Sequence, residues 1–217
     1  MKTLKAALFD LDGTLFNTEK QYSIFWERIG ALHHPEIPDF ANVIKGTTLT
    51  NILDTYFPSP IIRNEIVESL NHWESGMRYN FYPGAVDFLI SLRTNGVKMA
   101  IVTSSNAQKM NSVRRQMPDF DKIFDKVLTA EDFEHSKPNP DCYLKGAAAL
   151  GCTTDECVVF EDAYNGLAAG RAAGIFTFGM TTTHSRAEIA HKCDYVLDDF
   201  KWLKYEDIVH LLKISER

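Results

Sequence analysis

The chain has no CxxC pair, no basic tract and no apolar run of the length that crosses a bilayer. Each shortage excludes a class of protein. Cys142, Cys152, Cys157 and Cys193 lack paired spacing, which argues against a disulfide framework or a zinc site and for reduced thiols in a cytoplasmic protein. A membrane helix needs roughly 18 or more apolar residues in a row, and nothing here approaches that. A net charge of −6, with lysine and arginine scattered, excludes nucleic acid and anionic membrane as primary partners. Met1 to Lys5 is basic and then apolar, but Asp10 and Asp12 interrupt the apolar part and no small-residue cleavage site follows, so it is not read as a leader. Repeats and low-complexity tracts are absent, and a monomer is expected.

What is present fits one good-sized core and a modest second unit: 217 residues, 45% of them hydrophobic. Short apolar runs at 6–9, 97–102, 126–128, 157–160, 175–178 and 195–197 read as strands. Helical patterns separate them, at 85–94 (on the spacing of Val86, Leu89, Ile90 and Arg93), 107–117, 142–150, 166–173, 186–191 and 205–213. Strands alternating with helices predict a Rossmann-like α/β fold, an open parallel sheet with helices on both faces. Residues 17–80 break the rhythm. Tyr22, Phe25, Trp26, Ile29 and Leu32 recur at helical spacing, helices are expected near 51–56 and 61–77, and prolines punctuate the gaps. That stretch is predicted to be a small all-helical domain inserted after the first strand, with 1–16 and 81–217 forming the core.

The most informative stretch is Ala6 to Leu15. A buried strand ends at Asp10, and Gly13 marks the turn out of the sheet. Asp10 and Asp12 lie two residues apart, so both can face one small volume at the strand end. Two carboxylates forced together repel, and a cation or a shared proton must settle the conflict. With no His or Cys beside them in sequence, an oxygen-seeking ion such as Mg2+ fits best. In parallel sheets the functional edge lies beyond the carboxyl ends of the strands, where Thr103, Lys137, Glu161 and Asp162 are also expected.

Four segments, DLDGT at 10–14, IVTSS at 101–105, SKPNPD at 136–141 and VVFEDAYNG at 158–166, resemble the four ordered motifs of the haloacid dehalogenase-like superfamily. They are similar to its phosphatase branch, and within that to the β-phosphoglucomutase-like subgroup with a helical cap between the first two motifs. The resemblance implies a phosphomonoester hydrolase with Mg2+ as cofactor. Asp10 would be the nucleophile, since a carboxylate can take the phosphoryl group and divide one hard transfer into two easier ones. Asp12 would serve as general acid to the leaving oxygen and then as general base to water, its backbone carbonyl reaching the metal. Asp162 would complete the metal site, with Glu161 a further ligand. Lys137 would contact phosphate and nucleophile together. Thr103 would donate its hydroxyl to phosphate, helped by the Ser104 N–H at the start of the next helix, and Gly13 and Thr14 would turn their amides toward it.

Substrate choice is expected to lie in the inserted helices. The mutases of the subgroup carry a histidine and an arginine where this chain has Tyr22 and Leu49. A bisphosphate that must turn over in the site needs a second cationic clamp, so hydrolysis of a small phosphorylated metabolite, a sugar or polyol phosphate, is favoured over a mutase. Lys45 and Arg78 are candidates for positive charge from the insert, Tyr22 for a substrate contact. Lys20 is the nearest candidate for a Schiff-base lysine of phosphonate-cleaving relatives, but its neighbours offer no means of lowering its pKa. A non-catalytic phosphometabolite-binding module is the remaining alternative, and it would have no need of Asp12.

Overall fold

The apolar runs become neighbouring strands. The structure, a computed structural model, describes residues 3–44 and 48–215. In chain order the elements are β1 (Ala6–Phe9), α1 (Glu19–His33), α2 (Phe40–Val43), α3 (Leu49–Tyr56), α4 (Pro60–Gly76), α5 (Ala85–Thr94) and β2 (Lys98–Val102). They continue with α6 (Ala107–Gln116), α7 (Phe120–Ile123), β3 (Lys126–Leu128), α8 (Asp141–Ala149), β4 (Cys157–Glu161), α9 (Tyr164–Ala172), β5 (Phe176–Met180), α10 (Arg186–Ile189), β6 (Tyr195–Leu197) and α11 (Tyr205–Ser215). All strand pairs are parallel, in the order β3-β2-β1-β4-β5-β6. This is the Rossmann-like sheet that the alternation predicts.

Two-residue periodicity divides the core. Ala7, Phe9, Met99, Ile101, Val158, Phe160 and Phe178 face one side, where α5, α6 and α11 supply Phe88, Met110 and Ile208. Their neighbours Leu8, Ala100, Val102 and Val159 face the other, against Tyr143 and Ala147 of α8 and Ala169 of α9. Phe9, Phe160 and Phe178 stand in register on adjacent strands, and their rings stack at 4.8 and 5.0 Å. This stack holds β1 beside β4 just below the first and fourth motifs.

Helices α1–α4 gather an apolar cluster of their own, with Phe25, Trp26, Phe40, Ile52, Phe57 and Ile66 at its centre. The chain leaves and re-enters the sheet region side by side: Asn17 N–H donates to Asn80 O at 3.0 Å, and Tyr82 N–H to Leu15 O at 2.8 Å.

Two readings of helix faces need correction. Leu32 is 72% exposed, because Ile29 and Gly30 are the last buried residues of α1 and its final turn runs past the cluster. On α5, Val86 and Ile90 are exposed, and Ala85, Phe88, Leu89 and Leu92 form the buried stripe. Both stripes have helical spacing, and the one that buries more apolar surface meets the sheet.

Candidate active site

The carboxyl ends of β1, β2 and β4 and the loop after β3 bring four motifs to one cavity of about 430 Å³ between the sheet edge and the inserted helices. Asp10 follows β1, and its N–H donates to Phe160 O at 3.0 Å, so β4 is drawn alongside. Glu161 ends β4 and Asp162 follows it; both are 1% exposed. One carboxylate oxygen from each of Asp10, Glu161 and Asp162 lies within 4.8 Å of the others. Lys137 Nζ, itself buried, donates to Asp10 Oδ1 and to Glu161 Oε2, both at 2.7 Å. Tyr143 OH donates to the same Glu161 oxygen at 2.6 Å.

Three carboxylates therefore face one ammonium. Burial pushes the Asp10 carboxyl up to about 8, Glu161 adds to the rise, and Lys137 opposes it. Burial, then Glu161 and Asp10, hold Asp162 well above the usual carboxylate range. Burial would lower Lys137, but Asp10 and Glu161 outweigh it and keep its ammonium charged. A compact, buried set of carboxylate oxygens suits a hard divalent cation such as Mg2+.

Two glycines make room for this cluster. Gly13 has φ +83°, and a Cβ there would lie 2.1 Å from Asp162 Oδ2. At Gly166, in the first turn of α9, a Cβ would lie 1.9 Å from Glu161 Oε2. Asp162 is held from both sides, Thr14 Oγ1 donating to Oδ1 at 2.7 Å and the Thr183 hydroxyl donating to Oδ2.

Asp12 belongs to a second network. Its carboxylate accepts from Thr18 Oγ1 at 2.8 Å, from Ser105 Oγ at 2.9 Å and from the Lys109 ammonium. The idea of the Asp10 and Asp12 carboxylates sharing one cation is thus corrected: each faces a different lysine, and among the described residues the carboxylate cluster that could hold a metal is Asp10 with Glu161 and Asp162. Lys109 carried no signal as a site residue in sequence. The available sign was its place in α6 on the same side as Val113, four residues on and fully buried. Asn106 caps that helix through Lys109 N–H at 2.8 Å. Thr18, at the helix-start position of α1, spends its hydroxyl on Asp12 rather than on a cap.

Thr103 is buried in the cavity wall, its Oγ1 accepting from Ser105 N–H at 3.1 Å, which leaves its own proton to donate. Ser104 also lines the cavity, but α6 begins only at Ala107, so the expected helix-start amide is corrected. Gly13 N–H donates to Phe16 O at 2.9 Å and so does not serve phosphate as expected. From the insert, Tyr22 and Leu49 reach the cavity, with the Tyr22 hydroxyl donating to Glu74 Oε1 at 2.8 Å. Arg78 does not reach it: its side chain is exposed while its backbone pairs with the Gln21 amide. Lys45 lies outside the described residues.

The buried cluster leads to a prediction about pH. Asp10 and Asp162 hold protons in the folded chain at pH values where an unfolded chain has released them. The contribution of these two groups to the stability of the cation-free protein is therefore fully present below the ordinary carboxylate pKa of about 4 and is lost as pH rises toward about 8. A divalent cation held by this cluster would need it deprotonated, so the stabilisation by added Mg2+ is expected to grow over the same window. At a hundredfold excess over Kd it reaches about 2.7 kcal/mol, and each kcal/mol is worth roughly 2–4 °C in a chain of this size. Thermal melts at about pH 5 and about pH 8, with and without Mg2+, test this; an equal Mg2+ shift at both would contradict it.

The comparisons with known proteins agree with this geometry. The family model "Haloacid dehalogenase-like hydrolase" matches residues 7–180. The chain is 28% identical over 218 residues to the validoxylamine A 7'-phosphate phosphatase of Streptomyces hygroscopicus subsp. limoneus, covering 94% of this chain and 98% of that one. It is 30% identical over 198 residues to a probable pseudouridine-5'-phosphatase of Saccharomyces cerevisiae, covering 79% and 80%. Among solved structures, a β-phosphoglucomutase from Clostridium difficile shares the fold with a TM-score of 0.81 at 22% identity, over 99% of this chain and 100% of the other. With four motifs meeting at one sheet edge and the family model spanning most of its length, the chain belongs to the haloacid dehalogenase-like hydrolases.

Proposed function

We propose that this protein is a Mg2+-dependent phosphatase that hydrolyses a small phosphorylated metabolite, a sugar or polyol phosphate, through an aspartyl-phosphate on Asp10. The observation that carries the reading is Lys137 bridging Asp10 and Glu161 on the cavity floor, with Asp162 beside them. A phosphate seated there meets the Asp10 carboxylate, the Lys137 ammonium and the Thr103 hydroxyl. Asp10, Asp162 and Glu161, with the Asp12 carbonyl, would hold Mg2+, which would neutralise charge between nucleophile and phosphate. At ~4 Å two like charges oppose one another by roughly 4 kcal/mol at an effective dielectric near 20, so Lys137 and the cation both matter to the rate.

Asp10 attacks phosphorus and the bond to the leaving alcohol breaks. Asp12 protonates that alcohol. It then takes a proton from water, which attacks the acyl-phosphate and restores Asp10. The cavity of about 430 Å³ suits a small molecule, and the similarity to two phosphatases with small phosphorylated substrates supports the same class here.

The mutase alternative draws on the resemblance of the motifs to the β-phosphoglucomutase-like subgroup and on fold likeness. Against it, Leu49 lines the cavity where the mutases of the subgroup would place an arginine, and the Tyr22 hydroxyl is committed to Glu74. Phosphate release from a panel of phosphorylated metabolites, in Mg2+ and in EDTA, tests the proposal. Release that stops in EDTA and returns with Mg2+ is expected. Interconversion of a sugar 1-phosphate and 6-phosphate that requires a bisphosphate primer, without phosphate release, would replace it with the mutase reading.

A further inference from the structure

Lys109 is 1% exposed, and its Nζ pairs with the Asp12 carboxylate. Its neighbours in the helix, Met110 and Val113, are buried as apolar side chains, and an apolar residue of similar length would fill the same space at no electrostatic cost. A buried ammonium persists where its partners need it. Those partners are the Asp12 carboxylate, Ser105 Oγ at 3.0 Å and the face of the Tyr22 ring at 4.9 Å.

We infer that Lys109 is a positioning residue that fixes the Asp12 carboxylate in the orientation its proton-transfer role requires, using the inserted helices as its support. Asp12 Oδ2 receives Lys109 and Ser105 from the core, and Oδ1 receives Thr18, just before α1 of the insert. On its far side the ammonium rests on Tyr22 of α1, whose hydroxyl donates to Glu74 of α4. Glu74 is itself buried, 6% exposed. The series Asp12, Lys109, Tyr22, Glu74 thus runs from the sheet edge into the insert without a break. Oδ2 takes two of these bonds and Oδ1 only one, so Oδ1 keeps a position for the proton to be delivered. A carboxyl group held in this way loses little entropy on reaching the transition state, which is how positioning contributes to rate. Lys109 does not line the cavity, so it acts through Asp12 rather than on substrate.

The inference rests on the phosphatase reading and on Asp12 as general acid, and the experiment separates the two. Phenyl phosphate and p-nitrophenyl phosphate fit the same space but differ in need of a proton, phenolate being much the poorer leaving group. The ratio of their kcat/KM values reports the acid in the step that expels the alcohol. Proton donation contributes about 10²–10⁴-fold, so Lys109→Met should lose roughly 100-fold on phenyl phosphate and under about 10-fold on p-nitrophenyl phosphate. Ser105→Ala should move the ratio the same way by a smaller factor, and it carries the test if Lys109→Met does not fold. Equal losses on both substrates, or an unchanged ratio in the folded variants, would overturn the inference and leave the phosphatase reading standing. A wild-type enzyme inert on every phosphomonoester would remove both.

Discussion

Asp10→Asn should lose at least about 10⁴-fold in turnover, equivalent to some 5.5 kcal/mol of transition-state stabilisation, while melting no lower than the parent in the absence of metal. Activity falls because the amide is a poor nucleophile toward phosphorus and cannot form the acyl-phosphate. Stability holds because the amide is neutral, like the protonated carboxyl that this buried group of three acids with a single lysine favours in the absence of metal. The Asn oxygen can still accept from Lys137 at the position Asp10 Oδ1 now occupies. Asp10 is raised chiefly by burial and by Glu161, both costs of the charged form that the variant avoids. Kinetics and a metal-free melt of the same preparation check both halves. An active Asp10→Asn would remove the nucleophile assignment; a large drop in its melting temperature would show that the carboxylate holds the fold together.

Asp12→Ala should separate the two half-reactions. With p-nitrophenyl phosphate the leaving group departs without a proton, so transfer to Asp10 stays fast. Water then lacks its base, and hydrolysis of the acyl-phosphate slows by roughly 10²–10⁴-fold. The expected trace is a burst of one nitrophenolate per enzyme followed by a slow steady rate. A non-catalytic binding module would give no burst, and neither would direct attack by water on the substrate.

The fold and the floor of the candidate site are legible in the sequence for one physical reason. The motif residues sit where short apolar runs end, and a parallel sheet brings the ends of its strands to one edge. Asp10 after 6–9, Thr103 after β2 and Asp162 after β4 could be placed on that basis. The supporting polar partners could not. Lys109 meets Asp12 across 97 residues of sequence and Tyr143 meets Glu161 across 18, pairings that depend on how α6 and α8 rotate against the sheet. Thr183, which holds Asp162, lies just past β5 in a stretch with no motif around it. The Gly13 amide departs from expectation because the missing Cβ makes space for Asp162 while the N–H turns back to Phe16. Helix faces failed where two stripes of similar spacing competed, as on α5.

The most direct test of the account is to find where the phosphoryl group rests. Asp12→Ala would be mixed with p-nitrophenyl phosphate and Mg2+, quenched in acid during the burst, digested and weighed by mass spectrometry. The account predicts one phosphoryl group on the peptide containing Asp10, absent when the mixture holds EDTA. Phosphate found on another residue, or a burst with no phosphorylated peptide at all, would contradict it.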